Sequence, residues 1–223
     1  MTGAVTRSAA RKRSRALNQD KAMPNTHRLI LASSSKARHK MLTDAGVECE
    51  AVASMIDEDG YKQAMKAEGA TAVEAAETLA EMKALRMYRQ QPDAIVIAAD
   101  QMLECNGIWF DKPMDRDNTR AQLLSLRGKS HKLVSAAVIY KEGSRIWGTI
   151  DTAHLTVRNF TDEWLEEYLD AAGEEIYHCV GGYQLEGLGA QLFTEVRGDY
   201  FTVLGMPLLP LIGFLRDHGV LKA

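Results

Sequence analysis

Six consecutive apolar residues, Ala94-Ile95-Val96-Ile97-Ala98-Ala99, run without a polar break into Asp100. The run is strand-sized, and a strand with one wet face would alternate instead. It reads as a central strand covered on both faces, so the chain must supply helices for each side. Thr71 to Gln90 is one, with Ala72, Ala75, Leu79, Met82 and Leu85 at helical spacing. Ser33-Ser34-Ser35 opens a helical stretch that closes at Gly46. Asp117–Leu126, Thr161–Ala171 and Pro207–His218 are three more. Further strands are Leu29–Ala32, Val47–Ala53, His131–Tyr140, Arg145–Val157 and Gln191–Val196, with a hairpin over Met102–Phe110 turning at Asn106-Gly107. Residues 54–69 are polar and read as a mobile loop with a helical turn. Strands alternating with helices give an α/β class.

Composition narrows the rest. The 223 residues, 46% hydrophobic, suffice for one sizeable core or two closely joined lobes. No apolar run approaches the roughly 18 residues of a membrane span, so no membrane partner is expected. Cys49, Cys105 and Cys179 lie far apart with no CxxC pair, which fits a reducing, cytoplasmic setting better than a zinc site or a disulfide framework. Residues 1–26 hold Arg7, Arg11, Lys12, Arg13, Arg15 and Lys21 against Asp20 alone. This tail lacks aromatic residues and apolar periodicity. It is read as a disordered extension, or as sequence ahead of a true start at Met23, rather than as a nucleic-acid-binding arm. Residues 27–223 contain no linker and are read as one domain.

Five groups of residues carry chemistry. Ser33-Ser34-Ser35-Lys36-Ala37-Arg38 puts hydroxyls and free N–H groups at a helix start and cations in its first turn. Positive charge there opposes the helix dipole; a bound polyphosphate would remove the conflict, with Arg38 as a bidentate clamp. Asp100, at the end of the core strand, is placed to hold a metal or orient a water. Asp57, Glu58 and Asp59 offer the hard oxygen ligands that magnesium prefers. Lys83 on the long helix, and Lys112 projected from a turn by Pro113, are placed to neutralise phosphate charge. The segment Gly181–Gly189 permits close backbone approach, and Gln184 and Glu186 within it carry groups suited to base edges. Each group also has a plainer reading: a solvated cap, a turn aspartate, an acidic loop, surface lysines, a structural loop. The P-loop pattern, the Rossmann fingerprint, zinc-spaced histidines and the GxSxG elbow are absent from the sequence.

In this order and spacing the five groups resemble the Maf family, from about Arg28 to Val220. Leu31-Ala32-Ser33-Ser34-Ser35-(x)2-Arg38 is similar to its opening LASxSPxR signature and Ile56-Asp57-Glu58 to its IDE segment. Leu79-Ala80-Glu81-Met82-Lys83-Ala84 resembles its LAxxKA segment, Ala99-Asp100 its strand-end aspartate and Lys112-Pro113 its KP turn. Leu126-(x)-Gly128-(x)2-His131, Gly182-Tyr183-(x)2-Glu186-Gly187-(x)-Gly189 and Gly205-Met206-Pro207-Leu208 resemble its later motifs. The resemblance implies a mixed sheet with flanking helices and two lobes around a nucleotide-binding groove, related to inosine triphosphatases. It implies hydrolysis of a nucleoside triphosphate to monophosphate and diphosphate with magnesium or manganese, in a chain that pairs as a homodimer. By the same resemblance Asp100 is the proton acceptor and, with Glu58, a metal ligand. Arg38, Lys83 and Lys112 clamp the triphosphate, and Ser33 and Ser35 line its pocket. Asp100-Gln101 and Glu186-Gly187 look like the subgroup acting on 7-methyl-GTP, which makes Gln101 and Glu186 substrate-binding. Members acting on pyrimidine nucleotides (dTTP or UTP) read Asp-Thr and Gln at these places. Lys36 stands where the family has proline, and Ala37 where arginine or an aromatic residue is common, so one phosphate or base contact is missing. A non-catalytic, nucleotide-binding regulator of cell division is the alternative.

Overall fold

The computed structural model describes residues 27–222, so the expectation for the basic tail lies outside the described residues. In chain order come β1 (Leu29–Leu31), α1 (Lys36–Asp44), β2 (Glu50–Ala51), α2 (Glu58–Ala67), α3 (Ala72–Gln90), β3 (Ile95–Cys105) and β4 (Ile108–Phe110). Then follow α4 (Arg116–Leu126), β5 (Ser130–Lys141), β6 (Ser144–Val157), α5 (Asp162–Ala172), β7 (Phe193–Arg197), α6 (Tyr200–Val203) and α7 (Leu208–Asp217), with 3-10 turns between α5 and β7. The strands form one mixed sheet ordered β2-β1-β3-β5-β6-β7, with β4 also on β3. β1 is parallel to β2 and β3, and the other pairings are antiparallel. No helix among the described residues is long and apolar enough to cross a membrane.

The central run is covered on both faces, as its composition demands. α3 lies on one face, where Ala75, Leu79, Ala80 and Ala84 meet Ile30, Val96, Ala98, Met102 and Val134. Its alanines let the helix sit close to the strands, and burying a side chain such as Leu79 contributes roughly 1.5–3 kcal/mol. The odd-numbered side chains of β3 point the other way. Ile95, Ile97 and Ala99 meet α1 and α7 through Met41, Leu42, Leu211 and Leu215. Leu103 and Cys105 meet α4 and α5 through Leu123, Leu126, Leu165 and Leu169. The second face therefore carries two helix pairs, one over each end of β3, and a groove separates these lobes.

Three expectations change. The core strand does not end at Asp100; it runs on to Cys105 with Asp100 in its middle. β5 pairs with β3 from Val96 to Glu104, so the ladder carries the chain past the aspartate. On its other edge β3 takes β1 at Ile95–Ile97 and β4 at Leu103–Cys105. Ala98–Met102 thus have no strand partner on that edge, and the gap opens beside Asp100. Within 54–69 the expected helical turn is a full helix, Glu58–Ala67, capped by the Asp57 carboxylate accepting from Gly60 N at 3.0 Å. None of its residues is fully buried, and its apolar side is short: Tyr61, Ala64 and Met65, of which Met65 packs on the core. The strand expected over Val47–Ala53 shrinks to the two exposed residues of β2.

Candidate active site

A cavity of about 600 Å³ occupies the groove over the gap in β3. The side chains expected from sequence to carry chemistry line it except Ser33 and Asp57, and Asp57 serves as the cap of α2 instead. Ser35 and Arg38 come from the start of α1, Glu58 from α2, Lys83 from α3, Asp100 and Gln101 from β3, Lys112 from the turn after β4, and Glu186 from the glycine-rich segment.

At its floor the Lys83 ammonium lies 2.5 Å from Asp100 Oδ1 and 2.8 Å from Glu58 Oε1. Asp100 occupies an even position of β3 and so faces α3, which brings Lys83 to meet it. Both side chains are buried. Burial favours a neutral Glu58, but the charge and hydrogen bond of Lys83, with the charges of Lys112 and Lys62, outweigh it and hold its pKa below the usual carboxylate value. Two formal negative charges thus face one positive. Asp100 Oδ2 and Glu58 Oε2 have no hydrogen-bond partner among the described residues.

The upper wall is cationic. Arg38 donates from Nε to Gly205 O at 2.8 Å and from Nη1 to Ser33 Oγ at 3.4 Å. Ser33 Oγ also accepts from Ser35 N at 3.1 Å. Ser33 therefore sits behind the wall it was expected to form, bracing Arg38, while Ser34 and Ser35 face the cavity. Ser35 Oγ accepts from Arg38 N as the cap of α1, and the N–H groups of Lys36 and Ala37 have no partner among the described residues. Burial lowers the pKa of Arg38, and the charges of Asp100 and Glu58 act against it. Lys112 has no carboxylate within ion-pairing distance among the described residues. Enclosure by the walls, then the charge of Arg38, with a smaller share from Lys83, lower its pKa against Glu58 and Asp100. Two cations without carboxylate partners facing one cavity repel each other, and a bound anion removes that repulsion.

Gln101 donates from Nε2 toward Ser135 Oγ and Thr202 O, both at 3.0 Å, and Val203 O at 3.1 Å. Reversing the amide would set an oxygen against two carbonyls, so Oε1 is the end left for the cavity. Glycine lets the far wall fold. A Cβ on Gly189 would lie 2.4 Å from Gln184 O, and one on Gly182, at φ 70°, would lie 2.5 Å from Thr119 Cγ2. Sequence reasoning missed Lys62, which lines the cavity and bonds Asp111 at 2.6 Å. It stands one turn after Glu58, a spacing that carries meaning only once 58–67 is known to be helical.

Residues 28–218 match the family described as Maf-like protein. The chain belongs to this family. It is 50% identical over 194 residues to a protein of Granulibacter bethesdensis named nucleoside triphosphate pyrophosphatase, covering 87% of this chain and 98% of that one. A protein of the same name from Paramagnetospirillum magneticum is 51% identical over 192 residues, covering 86% and 99%. Another from Rhodospirillum rubrum is 46% identical over 193 residues, covering 86% and 96%. For this Maf-like chain, the matched span runs from just before β1 to the end of α7 and takes in every residue of the cavity.

Proposed function

We propose that this Maf-like chain is a nucleoside triphosphate pyrophosphatase, splitting its substrate between the α- and β-phosphates to give a nucleoside monophosphate and diphosphate. One observation carries the reading: Glu58 and Asp100 converge on one end of a cavity whose remaining wall holds Arg38, Lys112 and free helix N–H groups. Phosphoryl chemistry needs that kind of positioning and charge neutralisation more than covalent help.

Arg38, Lys112 and the N–H groups at the start of α1 bind the triphosphate oxygens, in the manner of helix N-termini and bidentate guanidinium groups. Asp100, anchored through Oδ1 by Lys83, keeps Oδ2 to take the proton of a water attacking the α-phosphorus. Lys83 and Lys112 stabilise the charge that grows as diphosphate leaves. Glu58 and Asp100 would also hold magnesium or manganese through the carboxylate oxygens that lack a protein partner, metal ligand being the alternative to proton acceptor for Asp100 Oδ2, and one ammonium already sits between them. Among the described residues no third acid or histidine joins them, which matches an ion held by one or two carboxylates plus substrate phosphates. When bound, such an ion neutralises phosphate oxygens at this end of the cavity.

For the base, Gln101 Oε1 and the Glu186 carboxylate are both acceptors. They fit the N1–H and N2 donors of guanine, and the carboxylate favours the positive charge of a methylated purine; 7-methyl-GTP is the substrate proposed. Residues 27–223 form the working domain, with 1–26 dispensable for turnover. Cytoplasmic location fits the three free cysteines Cys49, Cys105 and Cys179. Homodimer pairing belongs to the same reading and is measured by light scattering.

The test incubates purified chain, with and without residues 1–22, with 7-methyl-GTP, GTP, dTTP and UTP plus magnesium or manganese. Monophosphate and diphosphate are expected in equal amounts, fastest from 7-methyl-GTP. Binding without turnover would reject the enzyme in favour of a nucleotide-binding regulator. Orthophosphate without diphosphate would reject the bond cleaved. Faster turnover of dTTP or UTP would reject the base preference alone.

A further inference from the structure

α2 brings Glu58 to the cavity, yet it buries none of its own residues. Apart from Met65, half-buried against the core beneath α3, the contacts that reach the cavity side come from a stripe of side chains four residues apart, the spacing that aligns neighbours on one helix face. Glu58 meets the Lys83 ammonium at 2.8 Å, Lys62 meets Asp111 Oδ1 at 2.6 Å, and the Lys66 ammonium lies 5.3 Å from the centre of the Trp109 ring. The middle contact is the sheltered one: the Lys62 side chain is 14% exposed although its partner is 51% exposed. Asp111 directly precedes Lys112 in a turn without regular structure. Among the described residues, the Lys62–Asp111 bond is the hydrogen bond that joins α2 to this turn.

We propose that Lys62 and Asp111 are a positioning pair whose bond fixes Glu58 and Lys112 relative to each other across the cavity. The inference rests on the phosphate chemistry proposed above. Lys62 sits on the same helix face as Glu58, one turn on, and Asp111 is the backbone neighbour of Lys112. Holding the two partners together therefore holds both functional groups. A simpler rival exists, in which Lys62 is a phosphate-binding cation muted by Asp111. The two differ in sign for one substitution. Asp111→Asn removes a negative charge beside the cavity. Electrostatics alone would then strengthen anion binding and raise the rate, whereas loss of positioning lowers both.

The experiment uses the full chain. Asp111→Asn and Lys62→Met are each expected to lower kcat about tenfold, less than the roughly 10²-fold that a full ångström of misplacement costs. The double variant is expected to be no slower than the slower single, because both remove one bond. Asp111→Glu, which keeps the charge, should retain most of the rate. A readout without turnover is calorimetric binding of inorganic tripolyphosphate in the presence of a metal chelator, expected to weaken in Asp111→Asn. Asp111→Ala, made beside it, must give the same sign in both measurements. Because Asp111 is half exposed, the thermal midpoint should move by no more than a few degrees. A faster or tighter-binding Asp111→Asn, or losses that multiply in the double variant, would overturn the pairing while leaving the pyrophosphatase reading intact. An inactive wild-type chain fails that reading instead.

Discussion

Asp100 shows how far a single residue can be read from sequence and where that stops. An acid closing an apolar run reads equally as a turn aspartate, and the resemblance to the Maf family is what singles Asp100 out. Its place in mid-strand was not legible, since nothing local says whether the ladder with β5 continues. Ser33 shows the opposite limit: three adjacent serines look alike, and only the fold decides which braces Arg38 and which faces the cavity. Asp100→Asn removes the proton acceptor, and Lys83→Ala leaves two carboxylates facing each other. Each is expected to lower kcat at least ~10²-fold, as lost charge-positioning groups do. Near-normal steady-state rates in both variants would contradict these roles. Lys112 supplies a pH prediction. Its pKa is lowered in the free protein, so its charge is lost at a lower pH than usual for lysine. A bound triphosphate restores it. The alkaline limb of kcat/KM, which reports free enzyme, should therefore lie at lower pH than that of kcat. Coincident limbs, or a kcat/KM limb unmoved by Lys112→Arg, would count against it.

Elements with strong local signals were legible, and weakly anchored ones were not. α3 has its Thr71–Glu74 capping box and a buried stripe, and the hairpin has Asn106 and Gly107 at φ 52° and 80°. α2 has caps and charge but only a short apolar side, Tyr61, Ala64 and Met65, set among charged residues and never fully buried, so its full length is not evident locally. The join between β5 and the glycine-rich segment yields a stability prediction. His131 Nε2 and Tyr183 Oη lie 2.6 Å apart, and burial pushes the His131 pKa down to about 4. Burial also keeps Tyr183 protonated, so its hydroxyl and the neutral ring share one hydrogen bond. The folded chain then refuses a proton that the unfolded chain accepts below about 6.5. This contribution is complete above that pH, falls between about 6.5 and about 4, and levels off below, with an upper limit of roughly 3 kcal/mol. Urea unfolding at pH 7 and pH 5 should show the loss, and His131→Asn should flatten it. An identical pH slope in the variant would rule this histidine out as the source.

At the scale of the molecule, the α/β class followed from strands alternating with helices, and the groove only from the family resemblance. The groove exists because β1 and β4 share one edge of β3 and leave Ala98–Met102 open between them. That depends on long-range pairing, which local pattern does not encode. Residues from Ser34 to Glu186 reach the same cavity only through this arrangement. In the chemistry proposed, water attacks the α-phosphorus of a triphosphate held there. Turnover in ¹⁸O-labelled water, with products separated and weighed by mass spectrometry, reads out the atom attacked. The label should appear in the nucleoside monophosphate, and diphosphate should leave unlabelled. Label in the diphosphate would contradict attack at the α-phosphorus.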